Sequence, residues 1–433
     1  MQPVQNHTDE GLVRAIRRWD LVAIAINGII GAGIFGLPAK VYSLIGTYSI
    51  VAFVACALVV ALIIVCFAEV GSRFQDTGGP YLYAREAFNP AVAFEIGWLI
   101  WLARLTAFAA NCNLLINYLG YFWTSATDAA WRAMVIVVVV LVLCAINVLG
   151  IRQAAIVSNV FTVGKLVPIL IFVGAGLFFL NPQAFALGPR PNTGAFSQSV
   201  LLLVYAFTGF EMATIPAGEV RDPQRNMPRA LLIAILVVAV LYILIQVVCV
   251  GTLPGLDQSQ RPLADAGSQF LGAAGGAIIS AGAIISITGN LNILMLSGSR
   301  LPFAMAEQKQ LPEFVGKVHR TFFTPYVAIM LTAGLMLFLT LNSSFVEALT
   351  ISTLARLVTY GATCIALPIF RLRRKSPAAA FRVPAGTIVA VLALILIVWL
   401  LLNATLREAR ATVLAGAAGL AIYFSYWLYS RSS

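Results

Sequence analysis

Histidine and cysteine, the residues that most often hold metals or act as nucleophiles and bases, are scarce in this sequence. The chain has two histidines, His7 and His319, and six cysteines, all inside apolar runs and none in a CxxC pair. No pair of carboxylates falls in the middle of an apolar run. A metal site, a disulfide framework and a membrane enzyme are therefore not predicted, and we expect neither a cofactor nor catalytic residues.

Charge is also scarce, because 10% of the residues are charged while 60% are hydrophobic. The mean hydropathy is +0.92, and a soluble domain cannot bury that much apolar surface. Runs such as Leu231–Val250 and Ala385–Leu402 have about the length that crosses the hydrocarbon core of a bilayer. The composition thus predicts an all-α integral membrane protein that crosses the lipid bilayer many times.

Twelve apolar runs separated by short connections predict twelve transmembrane helices. Their approximate limits are 19–39, 48–71, 90–123, 133–150, 154–180, 197–220, 230–253, 267–299, 325–341, 346–370, 384–403 and 411–430. We expect a tail at 1–18, a first group of five helices at 19–180, a second group of five at 197–370, and two further helices at 384–430.

The formal charge of +11 is explained by topology. If the N-terminus is cytoplasmic, 19 of the 28 lysines and arginines fall on the cytoplasmic side, 6 fall outside and 3 lie within spans. This bias predicts that both termini are in the cytoplasm. We expect the protein to lie in the cytoplasmic (inner) membrane. No basic stripe interleaved with aromatic residues indicates a nucleic-acid partner.

Two of the predicted spans are interrupted by residues that weaken or break helices. Span one contains Asn27 to Pro38, NGIIGAGIFGLP, and span six contains Thr208-Gly209, Glu211 and Pro216. The two interrupted spans are the first and the sixth, five positions apart. Because successive spans cross the membrane in alternating directions, the second group of five helices would be inverted relative to the first. Such paired interruptions are typical of inverted-repeat transporters. The alternative is that small residues merely allow close helix packing.

Broken helices in a membrane expose backbone groups that can bind a ligand. Half-helix N-termini offer free N–H groups that suit a carboxylate, and freed carbonyls suit an ammonium group. An amino acid carries both. The interruptions therefore predict an amino acid site at the middle of the bilayer.

Three segments resemble the amino acid–polyamine–organocation superfamily of permeases. They are NGIIGAGIFGLP at 27–38, AEVGSRFQDTGGPYLYAREAF at 68–88 and GFEMATIPAGEVRDPQRNMPRA at 209–230. The resemblance covers essentially the whole chain. It implies a LeuT-like fold, with two inverted five-helix repeats, broken helices one and six, and two additional helices.

The resemblance also implies a substrate site. The substrate carboxylate would be contacted by Ile29, Gly31, Ala32 and Gly33. The broken part of span six would be formed by Tyr205, Phe207, Thr208, Gly209 and Phe210. The pocket would be completed by Asn111 in span three and Ile293 in span eight. Tyr205 falls where relatives place an aromatic gate over the substrate.

Three further residues are candidates for coupling transport to an ion. Lys165 lies about halfway along span five, where a lone ammonium costs several kcal/mol. The resemblance implies that it replaces a sodium ion between spans one, five and eight, near Thr288; the alternative is a lysine that snorkels to the interface. Glu211 lies beside the second break, where a desolvated carboxylate can gain and lose a proton. Its alternative is a neutral or paired glutamate that holds the broken backbone.

Other charges leave more than one interpretation open. Arg104 could face an internal vestibule or pair with Glu69, and the sequence names no partner for Arg356. Glu69 and Arg73 lie at the end of span two. They could lock an inner gate, although solvated charges at span ends are more common.

The sequence favours a secondary active transporter over other classes of membrane protein. No filter loop or continuous polar pore indicates a channel, and no long soluble segment indicates a sensor. The pocket has no acidic residue besides Glu211, which favours a neutral amino acid as substrate. We expect sodium-independent, proton-coupled uptake, with exchange of amino acids or amines as the alternative and a transporter-like sensor as a third possibility.

Overall fold

The computed structural model describes residues 14, 16–76, 78–150, 154–373 and 376–432, and for residues 154–164, 427 and 429–432 it describes the helical backbone alone. These residues form α-helices and short 3₁₀ helices, and they contain no β-strand. The α-helices are α1 (Arg18–Ile29), α2 (Gly33–Ile45), α3 (Ser49–Gly71), α4 (Gly79–Ala87), α5 (Pro90–Leu119), α6 (Ala129–Leu149), α7 (Ala154–Gly176), α8 (Thr193–Phe207), α9 (Pro223–Thr252), α10 (Pro262–Glu307), α11 (Tyr326–Asn342), α12 (Phe345–Leu372), α13 (Gly386–Leu402) and α14 (Leu406–Ser432).

The all-α prediction is confirmed for the described residues, and the helix lengths suit a membrane. Seven helical segments of these residues are long and apolar enough to cross a bilayer, or eight if the bent pair formed by α13 and α14 counts as one span. The helical stretches Lys165–Phe179 and Tyr326–Asn342 are apolar but shorter. The structure thus supports a multi-pass protein, and the count of twelve spans stays a prediction.

The run predicted as span one is divided into α1 and α2. Helix α1 ends at Ile29 and α2 begins at Gly33. Between them the Gly31 N–H donates to the Ile29 carbonyl at 2.7 Å, which is the bond of a γ-turn rather than of a helix. Pro38 does not form the break, because it lies within α2.

The run predicted as span six is also interrupted, between α8 and a short 3₁₀ helix at Phe210–Thr214. Thr208 is extended, and Gly209 has a φ of +105°, a conformation that favours glycine. A Cβ atom on Gly209 would lie 2.2 Å from the Gly28 carbonyl oxygen. The two breaks therefore meet backbone to backbone, and this contact requires a residue without a side chain.

The described end of the predicted tail lies close to the second break. Most of residues 1–18 lies outside the described part of the chain. The Ile16 N–H donates to the Glu219 carbonyl at 3.0 Å, and the Arg221 N–H donates to the Ile16 carbonyl at 2.9 Å. The segment before α1 is thereby joined to the segment that follows the 3₁₀ helix.

Helix α5 runs through the interior and packs against α10, α11 and α12. Most of its side chains are buried, including polar ones such as Asn111 and Asn113. Helix α10 is bent at Gly272, whose backbone is not helical. Three of the cavities among the described residues are arranged along the long buried α5.

Candidate functional site

Three cavities follow one another along α5. Ile100 and Arg104 line the first, Ala107 and Asn111 line the second, and Asn113, Leu114 and Asn117 line the third. At 1.5 Å per residue, the stretch from Ile100 to Asn117 spans about 26 Å, close to the thickness of the hydrocarbon core. We call them the Arg104 vestibule, the central cavity and the Arg132 vestibule.

The central cavity lies at the two helix breaks. Its lining comprises Gly28, Ile29, Gly31, Ala32, Gly33, Ala107, Asn111, Tyr205, Thr208, Gly209, Met212, Asn290, Leu294 and Arg356. Eight of the eleven predicted substrate-site residues are among them. Its volume is about 40 Å³, enough for a few water molecules. The central cavity is therefore too small for an amino acid, which could bind only if the cavity became larger.

The remaining three predicted residues lie outside this lining. Phe207 packs edge-on against Tyr242, with ring centres 5.1 Å apart. Phe210 packs against Phe67 and Tyr360. Ile293 lies on α10 one turn after Asn290, which lines the cavity in its place.

The central cavity presents several polar groups. The first amides of α2 have no partner within their own helix and lie at the lining residues Ala32 and Gly33. The Tyr205 hydroxyl donates to the Asn111 Oδ1 at 2.6 Å, which connects α8 to α5. The cavity therefore has backbone N–H donors that suit an anionic group. The neutral polar side chains of Tyr205 and Asn111 line it beside these donors.

Asn290 is a cavity residue that the sequence analysis missed. Its side-chain amide lies against the first break, since a Cβ on Gly31 would be 2.5 Å from its Nδ2. Its side chain makes no hydrogen bond within the described part of the chain, and it lines the cavity. An amide in the middle of an apolar run was the signal that could have identified it.

Lys165 is buried and hydrogen-bonds to the first break. Its Nζ donates to the carbonyl oxygens of Asn27, at 2.7 Å, and Ile30, at 2.8 Å. The Asn27 carbonyl lies in the last turn of α1, and the Ile30 carbonyl lies in the break that follows. Carbonyl groups at the end of a helix lack the N–H donors that the next turn would supply. The ammonium thus connects α7 to the end of α1. Thr288, half-buried on α10, is not among its described hydrogen-bond partners.

Tyr242, on α9, contacts both breaks and was also missed. Its hydroxyl lies 3.0 Å from the Ile29 carbonyl oxygen and 3.2 Å from the Ala206 carbonyl oxygen. The side chain is fully buried. A buried tyrosine hydroxyl needs a hydrogen-bond acceptor, and carbonyl groups at a helix break can act as acceptors. A tyrosine in the middle of an apolar run was therefore the signal that could have identified it.

Glu211 is part of a buried ion pair. Its carboxylate accepts hydrogen bonds from Arg356, from the Tyr360 hydroxyl at 2.8 Å and from the Gly209 N–H at 2.9 Å. The side chains of Glu211 and Arg356 are 7% and 10% exposed. This geometry fits a paired glutamate that holds the broken backbone, while its role in coupling stays a prediction.

The ion pair separates the central cavity from the Arg104 vestibule. Arg356 lines the central cavity, whereas Glu211 lines the vestibule. The vestibule has a volume of about 420 Å³ and also contains Arg104, Asp76 and Arg85. Of the two interpretations of Arg104, the structure therefore favours the one in which it faces a vestibule.

Glu69 pairs with two other arginines. Its fully buried carboxylate accepts from Arg371, at 2.6 and 2.8 Å, from Arg73 at 3.2 Å and from the Val383 N–H at 2.9 Å. The Arg73 guanidinium also donates to the Pro377 carbonyl at 2.8 Å. The network fixes the connection between α12 and α13 to the end of α3, so these charges are not simply solvated.

The Arg132 vestibule lies at the opposite end of α5. It has a volume of about 260 Å³ and is lined by Gly36, Lys40, Asn113, Leu114, Asn117, Arg132, Gln260, Ser344, Phe345 and Val346. A Cβ on Gly36 would lie 2.9 Å from the Phe345 ring and 3.0 Å from Leu114. These tightly packed apolar groups close the vestibule on the side of the central cavity.

The arrangement fits the transporter that the sequence predicts. Two vestibules approach a small polar cavity from opposite ends of a buried helix, and broken helices line that cavity.

Comparison with known proteins identifies the family. Residues 16–423 match the family model described as amino acid permease, and the chain belongs to that family. It is a multi-pass membrane protein of the amino acid–polyamine–organocation superfamily, so the resemblance drawn from the sequence is confirmed.

Named relatives include three transporters of Bacillus subtilis (strain 168). The serine/threonine exchanger SteT is 29% identical, over 96% of this chain and 98% of the relative. The methylthioribose transporter is 29% identical, over 98% and 94%. The branched-chain amino acid permease BcaP is 26% identical, over 98% and 94%.

Proposed function

We propose that this chain is a secondary active transporter that moves a neutral amino acid across the cytoplasmic membrane by alternating access. The observation that carries the proposal is the polar central cavity at two touching helix breaks, with a vestibule at each end of α5. Two of the three relatives are named for neutral amino acids, which supports the same substrate class.

The proposed binding mode follows from the groups that surround the central cavity. The substrate carboxylate accepts hydrogen bonds from the first amides of α2, at Ala32 and Gly33. The amides of Asn111 and Asn290 face the same space and orient the rest of the molecule. Since the cavity is contracted, Tyr205 moves away from Asn111 when the substrate enters.

The charges near the cavity favour a neutral substrate over a cationic one. Arg356 lines the cavity, Arg104 lines the adjoining vestibule and Lys165 binds the first break. Glu211 is the carboxylate that pairs with Arg356. The glutamate is already paired with Arg356, so no free carboxylate remains in the lining to bind a second cation. Lysine, arginine and polyamines would therefore find no carboxylate partner in the lining, while Arg104 lies in the adjoining vestibule and Lys165 at the first break.

We propose that Lys165 takes the place of a sodium ion. Its ammonium supplies the positive charge that two break carbonyls require, so transport does not depend on sodium. Loss of its proton would remove that charge and loosen α7 from the end of α1, which couples a proton to the opening of one vestibule. Glu211 is less suited to carry the proton, because Arg356 holds its carboxylate.

The proposed topology has twelve spans, with two inverted five-helix repeats at 19–180 and 197–370 and both termini in the cytoplasm. In this orientation the Arg132 vestibule opens outside and the Arg104 vestibule opens to the cytoplasm. The breaks at α1–α2 and α8 occupy corresponding positions in the two repeats, which supports the arrangement.

The test is binding followed by transport. A thermal-shift screen of the purified protein should select small neutral amino acids from a panel of L-serine, L-threonine, L-leucine, L-arginine and methylthioribose, because a ligand stabilises the native state. Uptake of the selected compound into proteoliposomes then separates the alternatives. A symporter accumulates it with a pH gradient, an exchanger needs internal amino acid, and a sensor binds without transport. Selective binding of L-arginine would refute the charge argument.

One substitution tests whether the central cavity holds the substrate. Asn290→Leu removes a cavity amide that makes no hydrogen bond within the described residues, so the fold should persist. We expect about tenfold weaker binding, from one lost hydrogen bond to the ligand. The matched control is Asn342→Leu, at the exposed end of α11. Unchanged affinity in Asn290→Leu would mean that the substrate binds elsewhere.

A further inference from the structure

We propose that the Arg132 vestibule is a second, weaker binding site, which captures the carboxylate group of the amino acid before it enters the central cavity. The role in entry rests on the proposed transport function. Binding of a carboxylate in the vestibule does not, and it can be measured separately.

The first observation is two cations that face one space with no acidic residue in its lining. Lys40, on α2, and Arg132, on α6, both line the vestibule. The Arg132 guanidinium donates to the Asn113 Oδ1 and to the Thr340 carbonyl, which are neutral acceptors. The Lys40 ammonium has no hydrogen-bond partner in the described part of the chain. Neither positive charge is therefore paired with a carboxylate of the described residues.

Two carboxylates on segments beside the vestibule, those of Glu347 and Asp265, have other partners. Glu347 accepts from Arg407 at 2.8 Å and from the Ser344 N–H at 3.1 Å. Asp265 accepts from Arg261 at 3.0 Å and from a serine hydroxyl at 2.6 Å. These pairs leave Lys40 and Arg132 as the charges that a ligand in the vestibule would meet.

The second observation is the size and polarity of the space. At about 260 Å³ the vestibule is several times larger than the central cavity of about 40 Å³, so it can hold a small amino acid without rearrangement. The amides of Asn117 and Gln260 also line it. They have no side-chain hydrogen bonds among the described residues. A zwitterion would therefore find both cations and neutral polar groups.

The third observation is its position relative to the proposed carboxylate site. Gly36 and Lys40 lie one and two turns beyond Gly33 on the same helix, α2. A carboxylate bound by Lys40 and Arg132 would thus lie about two turns along α2 from the amides at Ala32 and Gly33. Those amides would bind it once it reaches the central cavity. Phe345, packed against Gly36, closes the path between the two positions. Its displacement would let the carboxylate pass from side-chain cations to backbone N–H groups.

The test uses saturation-transfer NMR on the full-length protein, with acetate, L-serine and ethanolamine as probes. Acetate carries only the carboxylate, and ethanolamine lacks it. We expect contact signals from acetate and L-serine and none from ethanolamine. Lys40→Gln and Arg132→Gln should each weaken acetate binding about two- to fivefold, the range for one exposed charge pair.

Controls distinguish the vestibule from the central cavity and from general charge. Arg190→Gln removes an external cation outside the vestibule and should leave acetate binding unchanged. Ala107→Leu fills the central cavity and should also leave it unchanged. If Arg132→Gln does not fold, Lys40→Gln decides, because that lysine has no described side-chain hydrogen bond to lose. Acetate binding that survives Lys40→Gln undiminished, or that disappears in Ala107→Leu, would overturn the proposal.

The role in entry has its own readout in proteoliposomes. Lys40→Gln should raise the KM for uptake of L-serine about two- to fivefold and leave kcat unchanged, and high salt should remove the difference from wild type. Absence of transport in the wild type would refute the proposed function, while acetate binding would still report on the vestibule. A changed kcat with an unchanged KM would contradict capture before entry.

Discussion

Lys165→Met is the change that most directly tests how the first break is held. Methionine keeps much of the side-chain volume but removes the ammonium that donates to the Asn27 and Ile30 carbonyls, at 2.7 and 2.8 Å. Each hydrogen bond from a charged donor contributes about 1.5–3 kcal/mol. Taking the lower value for each, the break loses about 3 kcal/mol of local stability, a factor of about 100 in its opening equilibrium.

Hydrogen–deuterium exchange measures that opening. Peptides that cover residues 26–33 should exchange about 100-fold faster in Lys165→Met than in wild type, because local unfolding exposes their amides. Lys40→Met is the matched control, since the Lys40 ammonium has no described hydrogen-bond partner. Peptides from α11 should be unaffected in both variants. Unchanged exchange at the break would show that the ammonium does not hold it.

Transport by the same variant tests the coupling proposal. Wild-type uptake should persist when choline replaces sodium, and Lys165→Met should lose uptake driven by a pH gradient. Lys165→Arg should keep binding but turn over slowly, because arginine does not readily release its proton. An absolute sodium requirement in wild type, or intact pH-driven uptake in Lys165→Met, would refute the argument and return attention to Glu211.

Three other changes probe the breaks, the ion pair and the topology. Gly209→Ala places a Cβ 2.2 Å from the Gly28 carbonyl oxygen on a backbone with a φ of +105°, and we expect it to lower the melting temperature and abolish binding. Arg356→Met leaves its partner carboxylate buried without a counter-charge, which should cost about 3–5 kcal/mol of stability in denaturant unfolding. A cysteine at Asn192 should react with an impermeant reagent on intact cells, and one at Ser376 should not.

Each of these predictions has a control or a contrary outcome. Gly334→Ala adds a Cβ that meets no atom within 4 Å, so it should behave as wild type, and equal stability of Gly209→Ala would contradict the contact. Replacing Arg356 and Glu211 together by apolar residues should cost less than the single change; an equal or larger cost would mean that the pair is not the source of the loss. Labelling at Ser376 alone would reverse the orientation.

The sequence was informative where a single residue type has few structural uses. Glycines clustered in an apolar run indicated the first break, and Gly209 indicated the second, because positive φ and close backbone contact both select glycine. Lys165 was recognised because an isolated ammonium inside a span must find acceptors. These signals are local, so they can be read without knowing how the helices pack.

Contacts between distant segments could not be predicted in the same way. Glu211 and Arg356 are 145 positions apart, and only the packing of α12 against the 3₁₀ helix makes them partners. Phe207 and Phe210 flank the second break, but the extended Thr208 and the left-handed Gly209 turn them toward Tyr242 and Tyr360. The helix α10 is largely apolar, so its pattern did not determine whether Asn290 or Ile293 would face the cavity.

The position of Tyr242 has a consequence for how an ammonium group could be received. A hydroxyl has one hydrogen, yet this hydroxyl lies within bonding distance of two carbonyl oxygens, those of Ile29 and Ala206. It can serve only one of them fully at a time. The Ile29 oxygen also accepts the Gly31 N–H at 2.7 Å, so the Ala206 oxygen is the one that lacks a donor when the hydroxyl turns to Ile29. A cation that approaches either oxygen lets the hydroxyl rotate to the other without loss of a hydrogen bond. The tyrosine thus leaves one carbonyl oxygen between the two interrupted helices able to accept a hydrogen bond from a cation.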